Sequence, residues 1–297
     1  MPPVRRLRSY LQRIHQGDHV TGPVWAVGIT VGLVSLLAGA AIRHLGIGVG
    51  LIAALASVAT FLFGVLLAFT IDRTRLRLAL VHDLIRRTDA GLLSIHGLVD
   101  AFPAEAEGIR DAIDRLYVEQ VDYRLAECHL AQPAYLAFAR EVYALEPATP
   151  RQEISYYHLL QQTALIGEHR ALMESAVGQA LSPLEWSGLL TLFTLLLALV
   201  TLLPGGEVIG SIAAGVLAGV LTSLIVLLRK LDRLRWHERT SIWEPQARLM
   251  RSMGRDPYVP RHVIDAGRFH PRGRTRVVVY PDPYPVMTNK VVTVEEL

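Results

Sequence analysis

Four long apolar runs dominate the hydropathy pattern of this chain. They cover residues 24–42, 47–71, 184–203 and 208–228, and Glu185, at the start of the third run, is their only charged residue. Each run has about 19–25 residues, which is enough for an α-helix to cross a hydrocarbon core of roughly 30 Å. The pattern therefore predicts an all-α membrane protein with four transmembrane helices.

Very short polar links join these runs in pairs. The first link is residues 43–46, and the second is residues 204–207 with the sequence Pro-Gly-Gly-Glu. Glycine and proline end helices and allow a tight reversal of the chain. The four helices are therefore predicted to form two transmembrane hairpins.

Arginines mark the cytoplasmic side of the predicted membrane protein. Basic clusters precede the first run, follow the second and follow the fourth, whereas the two short links hold one basic residue, Arg43. Positive charge in short loops stays in the cytoplasm. We therefore expect both termini and the segment between the hairpins to be cytoplasmic, in a plasma (inner) membrane protein. A cleaved signal peptide ending near Ala38-Gly39-Ala40 is the alternative, although the apolar run is longer than a signal sequence usually has.

Small residues recur at intervals of four in three of the runs. Such rows allow the backbones of neighbouring helices to approach closely. The contacts could lie within one subunit or between subunits. The residues predicted to pack in this way are Gly28, Gly32, Ser211, Gly215, Gly219 and Ser223.

A heptad pattern continues from the second run into the following segment. Small and weakly polar residues of the second run give way to apolar residues from Leu78 to Phe102, in alternating steps of three and four. This pattern predicts one long helix that leaves the membrane. Its apolar seam would pack in an antiparallel bundle or, alternatively, against another copy. If the membrane half lines a pore, the residues facing it would be Ser57, Thr60, Gly64, Leu67 and Ile71.

The segment between the hairpins is predicted to be a bundle of about four helices. Ser182 with Glu185, and Thr149 with Gln152, have the spacing of capping boxes at the start of helices. The predicted organisation has six parts: a basic arm (1–23), hairpin one (24–71), a cytoplasmic helical bundle (72–181), hairpin two (182–228), a basic juxtamembrane helix (229–250) and a Pro/Arg-rich tail (251–297).

Charge is divided unevenly between the bundle and the C-terminal part. Residues 89–181 contain 14 acidic and six basic residues, whereas residues 229–297 contain 14 basic and eight acidic residues. The basic helix suits anionic lipid headgroups. The tail contains six prolines and two short β-like stretches, so we expect it to be extended and to dock on the acidic bundle or to be partly disordered.

No motif for catalysis or for a cofactor is present. The adjacent residues Glu127, Cys128 and His129 point to different faces of a helix, which disfavours a metal site. His237-Glu238 lacks a second histidine at zinc-protease spacing. An enzyme, a bound cofactor or metal, and a nucleic-acid partner are therefore not expected.

The order of these segments resembles that of bestrophin-type channels and their bacterial relatives. Those proteins place two spans, a cytoplasmic helical insert, two further spans and a cytoplasmic tail in about this length. Leu231-Asp232-Arg233-Leu234 is similar to their acidic stretch after the fourth span, whereas the Asp-Pro-Phe expected nearby is missing. The resemblance implies a homo-oligomeric pore whose second span lines the channel.

Two functions remain open at this point. The first is an oligomeric ion channel gated by its cytoplasmic bundle, which would depend on apolar constrictions because no ionisable group lies at membrane depth. The second is a membrane-anchored sensor or scaffold whose bundle binds a cytoplasmic protein partner.

Overall fold

A computed structural model describes residues 29–31, 33–34, 49–123, 125–202, 208–234, 242–267, 269–282 and 289–297. The chain divides into two compact units. The first, here called the membrane unit, comprises Met1–Leu76 and Ala180–Arg233. The second, the bundle unit, comprises Arg77–Gln179 and Leu234–Leu297.

The first described long helix, α1, runs without interruption over Val49–Leu98. Its 50 residues include no proline, and its first part is almost wholly apolar. Residues up to Leu76 belong to the membrane unit, and the others belong to the bundle unit. The predicted continuation of the second span as one helix is confirmed.

Three further helices build most of the bundle unit. They are α2 (Ala106–Asp122), α3 (Gln132–Tyr143) and α4 (Pro150–Gly178), and short 3₁₀ segments cover Val99–Ala101 and Leu125–Ala131. The capping box predicted at the start of α4 is present, with Thr149 and Gln152 exchanging hydrogen bonds. At the other end of α4, the buried Arg77 of α1 donates to the carbonyl oxygens of Ala176 and Val177 at 2.8 and 2.7 Å.

Two apolar helices complete the described part of the membrane unit, α5 (Pro183–Leu202) and α6 (Val208–Asp232). Together with α1, three described helices are long and apolar enough to cross a membrane. The first predicted span lies mostly outside the described residues. Its described positions, 29–31 and 33–34, are helical. The predicted packing residues Gly28 and Gly32, and both hairpin links, also lie outside them.

The C-terminal part folds into a small mixed sheet. After α7 (Glu244–Ser252) come β1 (Tyr258–Pro260), the short α8 (Arg261–Asp265), β2 (Arg274–Val279) and β3 (Val291–Glu296). The central strand β2 pairs parallel with β1 and antiparallel with β3. The sheet corrects the prediction of an all-α chain with an extended tail. Its side chains Tyr258 and Val278 join the bundle core, whereas Val259 of β1 packs in a separate small cluster with Ala247, Val263 and Phe269.

Acidic residues along α2 hold this sheet. Arg255 binds Glu107 and Asp111 at 2.6 and 2.7 Å, and Arg276 forms two hydrogen bonds with Asp114 at 2.6 and 2.7 Å. A single buried carboxylate, Asp122, accepts from three C-terminal donors. These are Tyr258 Oη at 2.7 Å, Tyr280 Oη at 2.6 Å and Lys290 Nζ at 2.5 Å. The C-terminal part therefore docks on the acidic bundle of its own chain.

Candidate pore face

One side of α1 forms the core of the membrane unit. Its buried residues Ile52, Ala56, Ala59, Phe63 and Leu67 pack with apolar residues of α5 and α6. Phe63 and Phe193 place their ring centroids 6.3 Å apart. Since Leu67 is only 4% exposed and Ile71 packs against the same cluster, neither presents a full side chain to a pore.

The outer surface of α1 in the membrane unit has two different sides. One side carries large apolar residues that are 40–71% exposed, of which Phe69 is the most exposed. Helical phase places small or weakly polar residues on the other side, and all of them are exposed. The large residues are Leu51, Leu55, Val58, Leu62, Val65 and Phe69; the small residues are Gly50, Ser57, Thr60, Gly64 and Ala68. Phe61, 69% exposed, lies at the border.

The small side, here called the pore face, contains three of the five residues predicted to line a pore: Ser57, Thr60 and Gly64. Ser57 Oγ donates to the Ala53 carbonyl at 2.9 Å, and Thr60 Oγ1 donates to the Ala56 carbonyl at 2.7 Å. These hydroxyl protons are therefore used within the helix, while their oxygens can still accept hydrogen bonds. A Cβ added at Gly64 would meet no atom within 4 Å. The face therefore presents small side chains, open space at Gly64 and hydroxyl oxygens that can accept hydrogen bonds.

Charged residues appear where the membrane part of α1 ends, directly after Ile71. Arg75 lies five helical turns beyond Ser57, so it has the same phase as the pore face. Asp72 lies about 60° to one side of Arg75. Both residues are exposed, and sequence reasoning missed their alignment because it treated Arg75 only as part of a basic cluster that fixes topology.

The ends of all three described membrane helices are joined by polar contacts. Arg73 of α1 pairs with Glu185 of α5 at 2.5 Å, and Glu185 also completes the predicted capping box with Ser182. Asp232 of α6 accepts from the Leu181 amide at 3.0 Å and from Trp186 Nε1 at 3.1 Å. These contacts fix the end of α1 near Arg75.

The small residues of α6 face its neighbours to different extents. Of the residues predicted to pack, Ser211 is buried, whereas Gly215, Gly219 and Ser223 are partly buried. Ala218 and Ser211 are the most deeply buried small residues of α6, at 0% and 1% exposed, and Ala214 is 5% exposed. Packing within the subunit therefore uses Ser211, Ala214 and Ala218 more than the glycines Gly215 and Gly219.

Sites for other chemistry are sparse in the described ranges. Within them, no group of three or more His, Cys, Asp or Glu residues could hold a metal ion. The thiol of Cys128 is free and partly buried, and burial is the main cause that raises its pKa. A raised pKa leaves less of the reactive thiolate at neutral pH.

Comparison with known proteins gives one match. No curated protein and no solved structure matches the chain. A family model described as the Bestrophin-like domain matches residues 23–233, which is more than half of the sequence and includes all four apolar runs. With its three described membrane-length helices, this chain is a membrane protein that belongs to the Bestrophin-like family.

Proposed function

We propose that the chain assembles into an oligomeric, passive ion channel whose pore is lined by the pore face of α1. The family supports a channel-type membrane protein. The observation that carries the proposal is the two-sided outer surface of α1. Lipid favours the large apolar side, whereas the small side leaves room for water and offers hydroxyl oxygens to it.

The pore face suits ions that keep most of their water. Residues 49–71 contain no ionisable side chain, and the hydroxyl protons of Ser57 and Thr60 are held by backbone carbonyls. Coupled transporters place charged groups at membrane depth, so this composition favours passive flow. Phe61, at the border of the pore face, is the residue best placed to form an apolar constriction that empties of water when it is narrow.

Selectivity is assigned to the charged end of the pore face. Asp72 and Arg75 carry opposite charges there, and rings of such residues at a pore mouth bias which ion enters. Asp72→Asn and Arg75→Gln should therefore shift the reversal potential in opposite directions. Arg229→Gln is the matched control, because Arg229 is exposed on α6 and its loss should leave the potential unchanged.

Gating is assigned to the bundle unit, since α1 belongs to both units without a break. A change in how the bundle holds α1 can reach the pore face through the helix itself. The arginine clusters support cytoplasmic termini in a plasma membrane, with contacts to anionic headgroups. A cytoplasmic protein partner that acts on the bundle is compatible with this arrangement.

Cysteine modification tests the pore face directly. In a Cys128→Ser background, purified Gly64→Cys protein is recorded in planar bilayers while a charged methanethiosulfonate reagent is added. Because Gly64 has open space around it, the substitution should be tolerated and modification should reduce the current. Val58→Cys is the control, since Val58 is 58% exposed on the large apolar side. Its modification should leave the current unchanged.

Three results would contradict the proposal. They are silent bilayers for folded protein, a monomer in mild detergent, and equal sensitivity of both cysteine variants. Silent bilayers together with a bound cytoplasmic protein would favour the scaffold function instead.

A further inference from the structure

The outer side of α4 in the bundle unit is an exposed and largely apolar surface. Ile154, Tyr157 and Leu172 are 64%, 66% and 48% exposed. The charged residue among them is Glu168, which forms no ion pair with any described residue. Apolar surface around one unneutralised charge is typical of a protein interface. Steps of three or four residues connect the members of this surface, here called the α4 face: Ile154, Tyr157, Gln161, Leu165, Glu168 and Leu172.

The last strand of the C-terminal sheet is exposed in a similar way. The strand order is β1-β2-β3, so β3 pairs with β2 on one side and forms an edge on the other. Val291, Val292 and Val294 of β3 are 53%, 44% and 55% exposed. Proteins usually cover an apolar edge strand, because it would otherwise promote aggregation. Charged residues flank the valines of this surface, here called the β3 edge: Lys290 comes before them and Glu296 after them.

Contacts within the bundle fix the height of α4, measured along α1. Arg77 of α1 donates to the Ala176 carbonyl, and Gly91 lies beside Ile166, so α1 and α4 run antiparallel. Each step forward along α1 is thus level with one step backward along α4. Counted from these two contacts, Glu168 is level with about positions 85–89 of α1.

The helix α2 brings the start of β3 to the same height. Arg110 of α2 binds Asp100, which directly follows α1, so α2 runs back along α1. Asp122 lies 12 residues further along α2 and is therefore level with about position 88. Lys290 binds Asp122 at 2.5 Å. Lys290 therefore lies at the height of Glu168.

The strands of the sheet run along α2. Arg276 of β2 binds Asp114, and Tyr280, directly after β2, binds Asp122, so β2 has the direction of α2. Four strand residues and eight helix residues both span about 12–13 Å, which agrees with a strand that follows the helix closely. Because β3 is antiparallel to β2, it has the direction of α1 and runs opposite to α4.

The charges at both ends of the β3 edge therefore match those of α4 in height. At one end, Lys290 is level with Glu168. Six residues further, Glu296 lies about 20 Å higher, which is the height of the first turns of α4. Arg151 is exposed there and forms no ion pair with any described residue.

Rotation about an axis parallel to α1 leaves these heights unchanged, and closed rings of identical subunits can use such an axis. We propose that the α4 face of one copy packs against the β3 edge of the next copy. Glu168 then lies beside Lys290, and Arg151 lies beside Glu296. Between them, the apolar residues of α4 cover the valines, and the amide of Gln161 can bond the unpaired backbone of β3. This inference rests on the oligomeric assembly proposed above, and it leaves the exposed side of α1 free to face the pore.

Pairing between two β3 edges is the alternative, and the direction of β3 argues against it. Two identical edge strands pair antiparallel about a two-fold axis perpendicular to both strands. Since β3 runs along α1, that axis would turn α1 end for end. Copies inserted into one membrane keep the same orientation, so neighbours in a channel could not pair in this way.

Disulfide trapping between differently tagged chains tests the contact. Both chains carry Cys128→Ser; one adds Gln161→Cys and the other adds Val294→Cys, and the two are co-expressed at full length. Oxidation should give a dimer that carries both tags, because the two positions are exposed and lie at nearly the same height. Leu93→Cys replaces Gln161→Cys in the matched control. Leu93 lies at about the height of Gln161 and is 41% exposed, but it belongs to α1 and should give no mixed dimer.

Charge reversal at the Glu296 end gives an independent readout. Glu296→Arg and Arg151→Glu should each raise the dissociation constant of the oligomer about tenfold, because each replaces an attraction by a repulsion. The double variant should assemble like the parent. Arg274, opposite Glu296 in the sheet, already pairs with Asp256 at 3.4 Å. Glu296→Arg with Arg248→Glu is the control, and it should not be rescued because Arg248 is exposed on α7, outside both surfaces.

The outcomes separate this interface from the proposed channel. An intact, conducting oligomer without the mixed-tag dimer would overturn the interface and leave the channel. Failure of the double reversal to restore assembly, in chains shown to be folded, would also overturn the interface. A dimer of two Val294→Cys chains would show instead that β3 edges pair with each other. A monomeric parent would overturn both the interface and the channel.

Discussion

The buried carboxyl group of Asp89 should make the bundle unit less stable as the pH rises. Asp89 lies on α1, outside the membrane part, and burial raises its pKa from 3.8 to about 7. Its Oδ2 is buried without a hydrogen-bond partner in the described ranges. The pKa of the Tyr117 hydroxyl is raised mainly by its own burial and, in addition, by the charge of Asp89.

The sign follows from comparing the folded and unfolded states. Below about pH 4 both states hold the proton, and the burial of Asp89 carries no charge penalty. Between pH 4 and 7 the unfolded state releases the proton while the folded state keeps it, so stability falls. Raising the pKa of Asp89 from 3.8 to about 7 corresponds to about 4 kcal/mol, and this loss of stability is complete above pH 7.

Asp89→Asn removes the charge and nearly keeps the shape. An amide in this site also lacks a partner and costs about 1–2 kcal/mol, so the net gain at pH 8 should be about 2 kcal/mol. For a unit of this size that gain corresponds to roughly 4–8 °C in Tm at pH 8. Near pH 4, where the parent carboxyl is neutral, the variant should be less stable than the parent by the cost of the amide, about 1–2 kcal/mol.

Thermal unfolding of the full chain in detergent between pH 4 and 8 measures this effect. Asp83→Asn is the control, because Asp83 is a more exposed acid on the same helix and forms a surface ion pair. Parallel pH profiles of the parent and Asp89→Asn would refute the reasoning, since Asp89 would then be solvated in the folded state.

Three further predictions test the packing described above. Asp122→Ala should leave three C-terminal donors unpaired and destabilise the docked sheet by about 3 kcal/mol. Faster trypsin cleavage after residue 251 would show this loss, and an unchanged cleavage rate would argue against docking. Gly167→Ala should lower stability by about 1–3 kcal/mol, because the added Cβ would overlap the hydroxyl of Tyr135; equal Tm values would mean that Tyr135 moves away at no cost. Ala218→Leu should lower the Tm in detergent more than Gly219→Leu does, because Ala218 is fully buried and Gly219 is only partly buried. The reverse order would place Gly219 at the main contact between helices.

The sequence predicted the helices best where their apolar pattern was long. Ile109, Ile113 and Leu116 have the spacing of one face of an amphipathic helix, and all three are buried in α2. The heptad seam is buried from Leu78 onwards, which confirms packing within a bundle for that part. Long periodic segments identify their buried face because many residues must agree with it.

Within the membrane unit the seam does not coincide with the buried face of α1. That face contains Ile52, Ala56 and Phe63, whereas Ser57, Thr60 and Gly64 are exposed. In an apolar run nearly every residue is hydrophobic, so the pattern cannot identify one face as buried. The packing of large side chains such as Phe63 decides which face is buried. In addition, a heptad repeat drifts by about 20° per heptad around a straight helix, so it does not stay on one face.

The C-terminal sheet could not be predicted as a folded element. Its strands are short, and β1 has only three residues, of which one is Pro260. The length and the sequence pattern of the strands do not show that Tyr258 and Val278 complete a core whose other residues lie mostly in α1 to α4.

That distance along the chain has a consequence for biosynthesis. The donors of Tyr258, Tyr280 and Lys290 reach Asp122 across 136, 158 and 168 residues, and all four apolar runs are made before any of these donors. Contacts this distant form late, because the ribosome must first deliver the end of the chain. The core of the bundle is therefore still incomplete when α5 and α6 have been synthesised. A chain released early by a premature stop would expose that core, and quality-control proteases could recognise it as unfinished.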